Sequence, residues 1–373
     1  MDKKKTMKIG ILTSTRADFG IYIPLLKELK KDNSFDIELI VFGTHLSKQH
    51  GYTINEITNY GYSVNHKLDT LPKGDSAYDI SKTIAKTQDV FANFWNDNKF
   101  DIVFALGDRY EMFAAVSAAS PFNIKLAHLH AGETTLGAID NAYRHSISLM
   151  SEYLFVSTEE YKKRAIEINQ EADKVFNVGA LSIDNLKKVE LFSKEEFKSV
   201  FEIDINKPTI LSTFHPETVS LEKNEIYIKE LLNAFDELKS EYQIVITMPN
   251  ADTMGLLVRK EIETFAKGKD NIILIESFGM KGYLTCMRDC SFMIGNTSSG
   301  YVEAAFFPKW VINIGDRQKG RIITDNILSV KVEKDFIIDA INKIKNSKLP
   351  NNTNIYGDGN TAKNIIEILK KVI

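Results

Sequence analysis

At 373 residues the chain is longer than one hydrophobic core normally supports, so two α/β domains are expected. Its composition, 43% hydrophobic and 26% charged, is that of an ordinary globular protein, and a formal net charge of -3 argues against a nucleic-acid binder, which carries a basic surplus or stripe. No run approaches the roughly 18 apolar residues of a membrane span, and the basic opening leads into a short apolar stretch that breaks at Thr13, so a soluble, cytoplasmic chain with neither leader nor membrane contact is expected.

Short apolar runs alternate with longer amphipathic ones through the first half. Lys8–Leu12 reads as a buried strand, followed by a polar turn and a helix from about Tyr22 to Lys31. Phe35–Phe42 is a second strand, Asp79–Asn98 a long helix, and Asp101–Leu106 a third strand. A helix at Met112–Ala119, a strand at Lys125–His128, a helix at Ala142–Ser151 and strands at Tyr153–Val156 and Val175–Val178 complete the set. Such alternation implies a parallel sheet with right-handed crossovers.

The pattern lapses between Ile183 and Asn206, a charged helical stretch without a strand, and then restarts. Strands are expected at Thr209–Thr213, Gln243–Met248, Ile272–Ile275, Phe292–Gly295 and Trp310–Ile314, with helices at Glu225–Lys239, Leu256–Ala266, Gly282–Asp289 and, last, Thr361–Val372. The expected architecture is therefore two doubly wound, Rossmann-like α/β domains facing across a cleft. One spans 1–185 and the other 186–355, with a C-terminal helix in 356–373 that packs back on the first domain. In such sheets ligands gather beyond the carboxyl ends of the strands.

The loop after the first strand, Thr13 to Gly20, offers hydroxyls, Arg16 and a helix entrance, a plausible anion site that matches neither a dinucleotide fingerprint nor a Walker loop. After the third expected strand come Gly107, Asp108, Arg109, Tyr110 and Glu111, where Asp108 either does chemistry or caps the helix and pairs with Arg109. Next come His128, Leu129, His130, Ala131, Gly132 and Glu133, with Asp140, Arg144 and His145 shortly after: the densest group of titratable residues in the chain. Carboxylates and histidines in one place suit general acid and base work, where protons are both removed and delivered. Strand alternation puts His128 and His130 on one face. The spacing matches no common zinc signature, so no metal is expected.

In the second half, His215 precedes Pro216, read as the first position of a helix. Gly295, Asn296, Thr297, Ser298, Ser299 and Gly300 form a small-residue turn whose N–H groups suit a pyrophosphate, and Glu303, read as one turn into the next helix, suits ribose hydroxyls. Arg317 and Arg321 follow the next strand and suit a dianion. Cys286 and Cys290 are read as helical core residues rather than metal ligands.

Taken together, TSTRADFG, GTHLS, LGDRYE, HLHAGE, IDNAYRHSI, FHPET, GNTSSGYVE and INIGDRQKGR, in this order from residue 13 to 321, resemble the hydrolysing UDP-N-acetylglucosamine 2-epimerases of sialic acid synthesis. The resemblance implies a GT-B-like fold with the nucleotide held mainly by the C-terminal domain. It implies that Thr297, Ser298 and their neighbours Asn296 and Ser299 hold the diphosphate and that Glu303 holds the ribose. Arg16, His45 and His215 would meet phosphates or sugar, and Tyr283 would stack on uracil. Asp108, Glu133 and Asp140 would be the acids and bases, oriented by Arg109 and Arg144. Many relatives have Glu where His130 stands, so proton transfer falls to His130 or to Glu133.

The implied reaction eliminates UDP from C1 with loss of the C2 proton, giving a 2-acetamidoglucal. Water then adds to release N-acetylmannosamine and UDP. It needs no cofactor. UDP-N,N'-diacetylbacillosamine as substrate, a non-hydrolysing 2-epimerase and a glycosyltransferase of the same fold are the alternatives. The resemblance further implies a homodimer or homotetramer.

Overall fold

A computed structural model of the protein describes residues 6–48, 51–71, 74–250, 252–351 and 354–372, so the start of the basic opening lies outside it. The chain forms two compact units. The first comprises 1–133, 140–187 and 355–373, and the second 134–139 and 188–354.

The first unit runs β1 (Met7–Thr13), α1 (Arg16–Lys30), β2 (Phe35–Phe42), α2 (Ile54–Asn59), β3 (His66–Leu68), α3 (Ala77–Asp97), β4 (Ile102–Leu106), α4 (Tyr110–Ala119), β5 (Leu126–Leu129), α5 (Asp140–Leu149), β6 (Tyr153–Val156), α6 (Glu159–Asn169), β7 (Val175–Asn177) and α7 (Leu181–Lys188). Its seven strands are all parallel in the order β3-β2-β1-β4-β5-β6-β7. The second unit runs α8 (Lys194–Phe201), β8 (Thr209–Thr213), α9 (Asn224–Leu238), β9 (Gln243–Thr247), α10 (Gly255–Ala266), β10 (Ile272–Ile275), α11 (Gly279–Asp289), β11 (Phe292–Gly295), α12 (Glu303–Phe306), β12 (Val311–Ile314), β13 (Ile327–Val330) and α13 (Lys334–Lys345). Its six strands are parallel in the order β10-β9-β8-β11-β12-β13. Strand order reverses direction between β1 and β4, and again between β8 and β11. At such a switch point two loops diverge and leave a crevice.

Both faces of the second sheet are covered, which explains its unbroken apolar strands. Ile210, Ile244, Ile246, Phe292 and Ile294 pack into one core with α9, α10 and α13. Leu211, Val245 and Met293 point the other way, into a core that contains Cys286 and Cys290. Both thiols are free and buried, and burial pushes Cys290 up to about 12. In the first unit, Phe91, Phe94 and Trp95 of α3 pack on Leu12, Ile40 and Val103.

The last helix, α14 (Thr361–Val372), rejoins the first unit. It buries Ile365, Ile366 and Leu369, and Asp184 on α7 receives its first N–H groups, Thr361 and Ala362, at 2.9 Å each.

The differences from the expected elements have local reasons. α1 starts at Arg16 rather than Tyr22 because Thr15 and Asp18 form a reciprocal capping box. β3 and β13 are short edge strands, half exposed, with too little apolar run to stand out. α6 buries only Tyr161 and Ala165, a stripe too thin to read, whereas α13 has a regular one at Ile337, Ala340, Ile341 and Ile344 that the sequence reading passed over. Pro216 does not open a helix: α9 begins at Asn224. Glu303 is the first residue of the four-residue α12, not one turn into a longer helix.

Asp184 is fully buried, so Asp184→Ala leaves two N–H groups without acceptors and should cost about 2 kcal/mol or more. Urea unfolding should show that loss, with faster amide exchange at the start of α14, and Asp184→Asn should recover part of it.

Candidate functional site

In the first unit the chemistry-bearing residues sit where β4 and β5 end. Asp108 and Arg109 follow the tight exit at Gly107, with Arg109 at the N-cap of α4. The two do not pair. Arg109 forks onto Glu111 through Nε at 3.1 Å and Nη2 at 3.0 Å, and Glu111 is fully buried. The Asp108 carboxylate instead accepts from Nη2 of Arg144, which reaches over from α5.

Arg144 is 2% exposed and gathers the rest of the cluster. Its Nη1 donates to the His130 carbonyl at 2.9 Å and lies 3.6 Å from Glu133 Oε2. Glu133 Oε1 meets His130 Nδ1 at 2.6 Å and accepts from the Ser157 hydroxyl at 3.3 Å. Glu133 is 2% exposed, whereas the His130 side chain is 13% and the Asp108 side chain 22% exposed. Glu133 is thus buried beside His130 and fixes its ring. Asp140, 6% exposed, opens α5 one turn before Arg144.

The expected sharing of a face by His128 and His130 does not occur. β5 ends at Leu129, and His130 adopts a left-handed φ of 63°, which turns its side chain out of the strand's alternation. His128 stays inside. Its Nε2–H donates to the Gly107 carbonyl at 2.7 Å, leaving Nδ1 to accept from Ser148 at 2.9 Å. Burial, with a smaller push from the Arg144 charge, lowers it to about 3, so it is a neutral support. His145 is also held below its usual range, first by burial and then by Arg144 and Arg164.

The loop after β1 has its polar groups satisfied internally. Asp18 Oδ2 accepts the N–H groups of Ser14 at 2.9 Å and Thr15 at 3.0 Å, and Oδ1 accepts the Thr13 hydroxyl. His45, fully buried, contacts Thr13 through Nε2 and Thr53 through Nδ1, each at 2.9 Å, and so supports this loop from behind. A protein carboxylate therefore occupies the place where an anion was expected on backbone N–H groups. Arg16, the first residue of α1, is half-buried beside it.

In the second unit the loops after β8 and β11 lock together. Asn296, fully buried, accepts the His215 N–H at 2.7 Å and donates to the His215 carbonyl at 2.7 Å. His215 Nδ1 accepts from the Asn250 N–H at 3.4 Å, which leaves its proton on Nε2. Gly295 passes so close to the Thr213 carbonyl, at a φ of 151°, that no side chain fits there. Beyond it Thr297 is half-buried and Ser298 exposed at the start of a 3-10 turn. Ser299 bonds Thr297 Oγ1 at 3.2 Å and the Tyr283 hydroxyl at 2.6 Å. Tyr283, its hydroxyl pushed well up by burial, thus braces the turn from within.

The two arginines expected to meet a dianion are committed to the protein. Arg317 donates to the Pro216 carbonyl at 2.9 Å and to Asp252 at 3.1 Å. Arg321 Nε donates to Gln318 at 2.6 Å, and Gln318 donates to the Asn296 carbonyl at 2.7 Å. The sequence reading missed Glu217, 3% exposed, which accepts the Asp316 N–H at 2.6 Å and is raised by burial. It also missed Asp18, Glu111, Ser157, Asp252 and Gln318, each a partner of a residue it did name. An open groove of about 1270 Å³ elsewhere in this unit is lined by Glu230, Asp236, Glu237, Glu333 and Asp335 among others, a poor match for a diphosphate. Among the described residues no helix is long and apolar enough to cross a membrane.

Comparison with known proteins adds to this geometry. The family model described as UDP-N-acetylglucosamine 2-epimerase matches residues 27–370. A Campylobacter jejuni protein named GDP/UDP-N,N'-diacetylbacillosamine 2-epimerase (hydrolyzing) is 36% identical over 346 residues, covering 92% of this chain and 89% of its own. Polysialic acid biosynthesis protein P7 of Escherichia coli is 34% identical over 370 residues, covering 98% and 94%. Among solved structures, the UDP-GlcNAc 2-epimerase of Neisseria meningitidis bound to UDP-GlcNAc matches with a TM-score of 0.82 at 22% identity, over 98% of this chain and 100% of that one. At that identity the likeness concerns the fold, two parallel sheets with alternating helices of the GT-B-like kind.

The buried neutral state of His128 has a consequence for stability. Its folded value, about 3, lies below the ordinary 6.5, so it contributes stability that is complete above 6.5 and is lost as pH falls toward 3. Urea unfolding across that window should show the loss, and His128→Gln, which cannot take the proton, should flatten it.

Proposed function

The chain belongs to the UDP-N-acetylglucosamine 2-epimerase family, and on that premise we propose that it is a hydrolysing 2-epimerase of a UDP-linked 2-acetamido sugar. The observation that carries the reading is the convergence of Asp108, Glu133 and the His130 backbone on the single guanidinium of Arg144. Inverting C2 through a 2-acetamidoglucal removes a proton from one face and returns one to the other, which calls for two separate proton-transfer groups. Asp108 and His130 are the partly exposed members of the cluster, so we assign these roles to them. Glu133 holds the imidazole in place through its Nδ1 contact, and Asp140 is the third acid of the set. On this reading the transfer falls to His130, with Glu133 as its partner, and the greater exposure of the His130 side chain supports that choice.

In the second unit, Thr297, Ser298, Ser299 and Glu303 are assigned to the diphosphate and ribose of UDP. Arg317 and Arg321 are assigned to shape that site, since each is held by protein groups through part of its guanidinium. Arg16 and His215 are the further candidates for phosphate or sugar contact, and Tyr283 for the base. The C2 proton is weakly acidic, so stabilising the departing UDP carries much of the barrier, and the turn after β11 contributes to rate as well as affinity.

UDP-N-acetylglucosamine, giving N-acetylmannosamine for sialic acid synthesis, is the first substrate proposed. The name of the Campylobacter jejuni relative favours a second, UDP-N,N'-diacetylbacillosamine. Turnover of each in deuterated water tests both readings. The expected products are UDP and a free 2-epimerised sugar carrying deuterium at C2, seen by NMR. A UDP-sugar product would replace the hydrolysing reading with the non-hydrolysing one, and UDP release only with an added acceptor would make the chain a glycosyltransferase.

Asp108→Asn should keep UDP affinity while kcat falls by about 10² to 10⁴. Ser298→Ala combined with Glu303→Ala should instead weaken UDP binding in calorimetry, and unchanged affinity would remove both residues from the nucleotide site.

A further inference from the structure

Six residues between Glu133 and Asp140, 134–139, belong to the second unit although both their flanks belong to the first. Their attachment is made of backbone. The Leu136 N–H donates to the Lys319 carbonyl at 2.9 Å, and the Ile139 N–H to the Thr218 hydroxyl at 2.8 Å. A turn closed by Ala138 N–H on the Thr135 carbonyl, 3.0 Å, lies between them. At its tip, Gly137 presses on the loop after β12. A Cβ there would collide with the Asp316 carbonyl and stand 2.5 Å from Arg317 Cα, both backbone atoms that cannot swing aside. Its φ is not in the left-handed region, so what requires glycine is the close approach alone.

The two large apolar side chains do little of the holding, since Leu136 is 52% and Ile139 45% exposed, while Thr134, Thr135 and Ala138 are buried. The loop beneath is firm by contrast. Glu217 fixes Asp316, Pro216 and Asp252 fix Arg317, and Gln318 is bonded to Asn296 at the turn assigned to the diphosphate. A path of two hydrogen bonds joined by the Gln318–Lys319 peptide link therefore leads from Asn296 to the segment flanked by Glu133 on one side and Asp140 on the other.

We propose that residues 134–139 are a strap through which nucleotide occupancy of the 296–303 turn sets the placement of Glu133 and Asp140, with Gly137 and Thr218 as positioning residues. The proposal rests on the assignment of that turn to UDP. It ties the placement of the acid-base set to the holding of the leaving group, which disfavours proton transfer on a sugar whose diphosphate is out of place.

Hydrogen exchange with UDP as the probe tests this on the full chain without requiring turnover. In the wild type, UDP should slow exchange in 296–303 and also in 134–144. In Gly137→Ala, UDP should bind as before with slowing confined to 296–303, and kcat should fall about tenfold to a hundredfold with little change in KM. Thr218→Val provides the same test by removing the acceptor for Ile139, and Thr218→Ser should restore both readouts. Protection that stops at 303 in the wild type, or that still reaches 134–144 in Gly137→Ala and Thr218→Val, overturns the strap alone. Failure of UDP to bind the wild type overturns the nucleotide assignment and the strap with it.

Discussion

The guanidinium of Arg144 is the one interaction on which the first unit's site depends. It is 2% exposed and holds a carboxylate from the loop after β4, another from the loop after β5, and the carbonyl of a residue in a left-handed conformation. A buried charge of this kind is tolerable only with its partners in place, and removing one typically costs 3–5 kcal/mol. The arrangement is therefore close to all-or-none. It also explains His128 beneath it, since a second positive charge there would face Arg144, and burial keeps that imidazole neutral. The backbone strain at His130, about 1–3 kcal/mol for such conformations, is offset by the bonds its carbonyl and ring make.

The second unit solves a different problem with different groups. Its turn after β11 presents small hydroxyl residues, while charged side chains nearby are neutralised within the protein: Arg317 by Asp252, and Glu217 by backbone N–H groups. A ligand there would meet preorganised dipoles more than mobile charge, and dipoles fixed by the fold need little reorganisation when charge develops on a leaving group. The buried Asn296 latch, bonded in both directions to His215, supplies the rigidity.

Most of the fold was legible because strands of a covered parallel sheet are written as short apolar-rich runs: Tyr153–Val156, Thr209–Thr213, Ile272–Ile275 and Phe292–Gly295 have the boundaries expected of them. The edge strands His66–Leu68 and Ile327–Val330 were not, since they are short and wet on one side. The candidate site was legible as residue types at strand ends but not as partnerships. Nothing local in the sequence distinguishes Arg109, forked onto Glu111 two residues away, from Arg144, which reaches Asp108 across 36 positions. The split of 134–139 from its flanks was likewise invisible, because Leu136 and Ile139 read as ordinary loop residues and Gly137 shows its reason only against Asp316 and Arg317.

These features share a physical logic. Loops at the carboxyl ends of parallel strands are free to carry polar groups, but each such group must find a partner or face water. In this chain most of the candidate charges found protein partners, Asp108 on Arg144 and His130 on Glu133 among them, and these two keep partly exposed side chains, while Ser298 in the second unit is exposed. In the proposed reaction, the first unit's set would exchange the proton and the second unit's would hold the leaving charge. Their buried neighbours, each bonded to other protein groups, hold these side chains in place, so what sets the candidates apart from those neighbours is exposure more than charge.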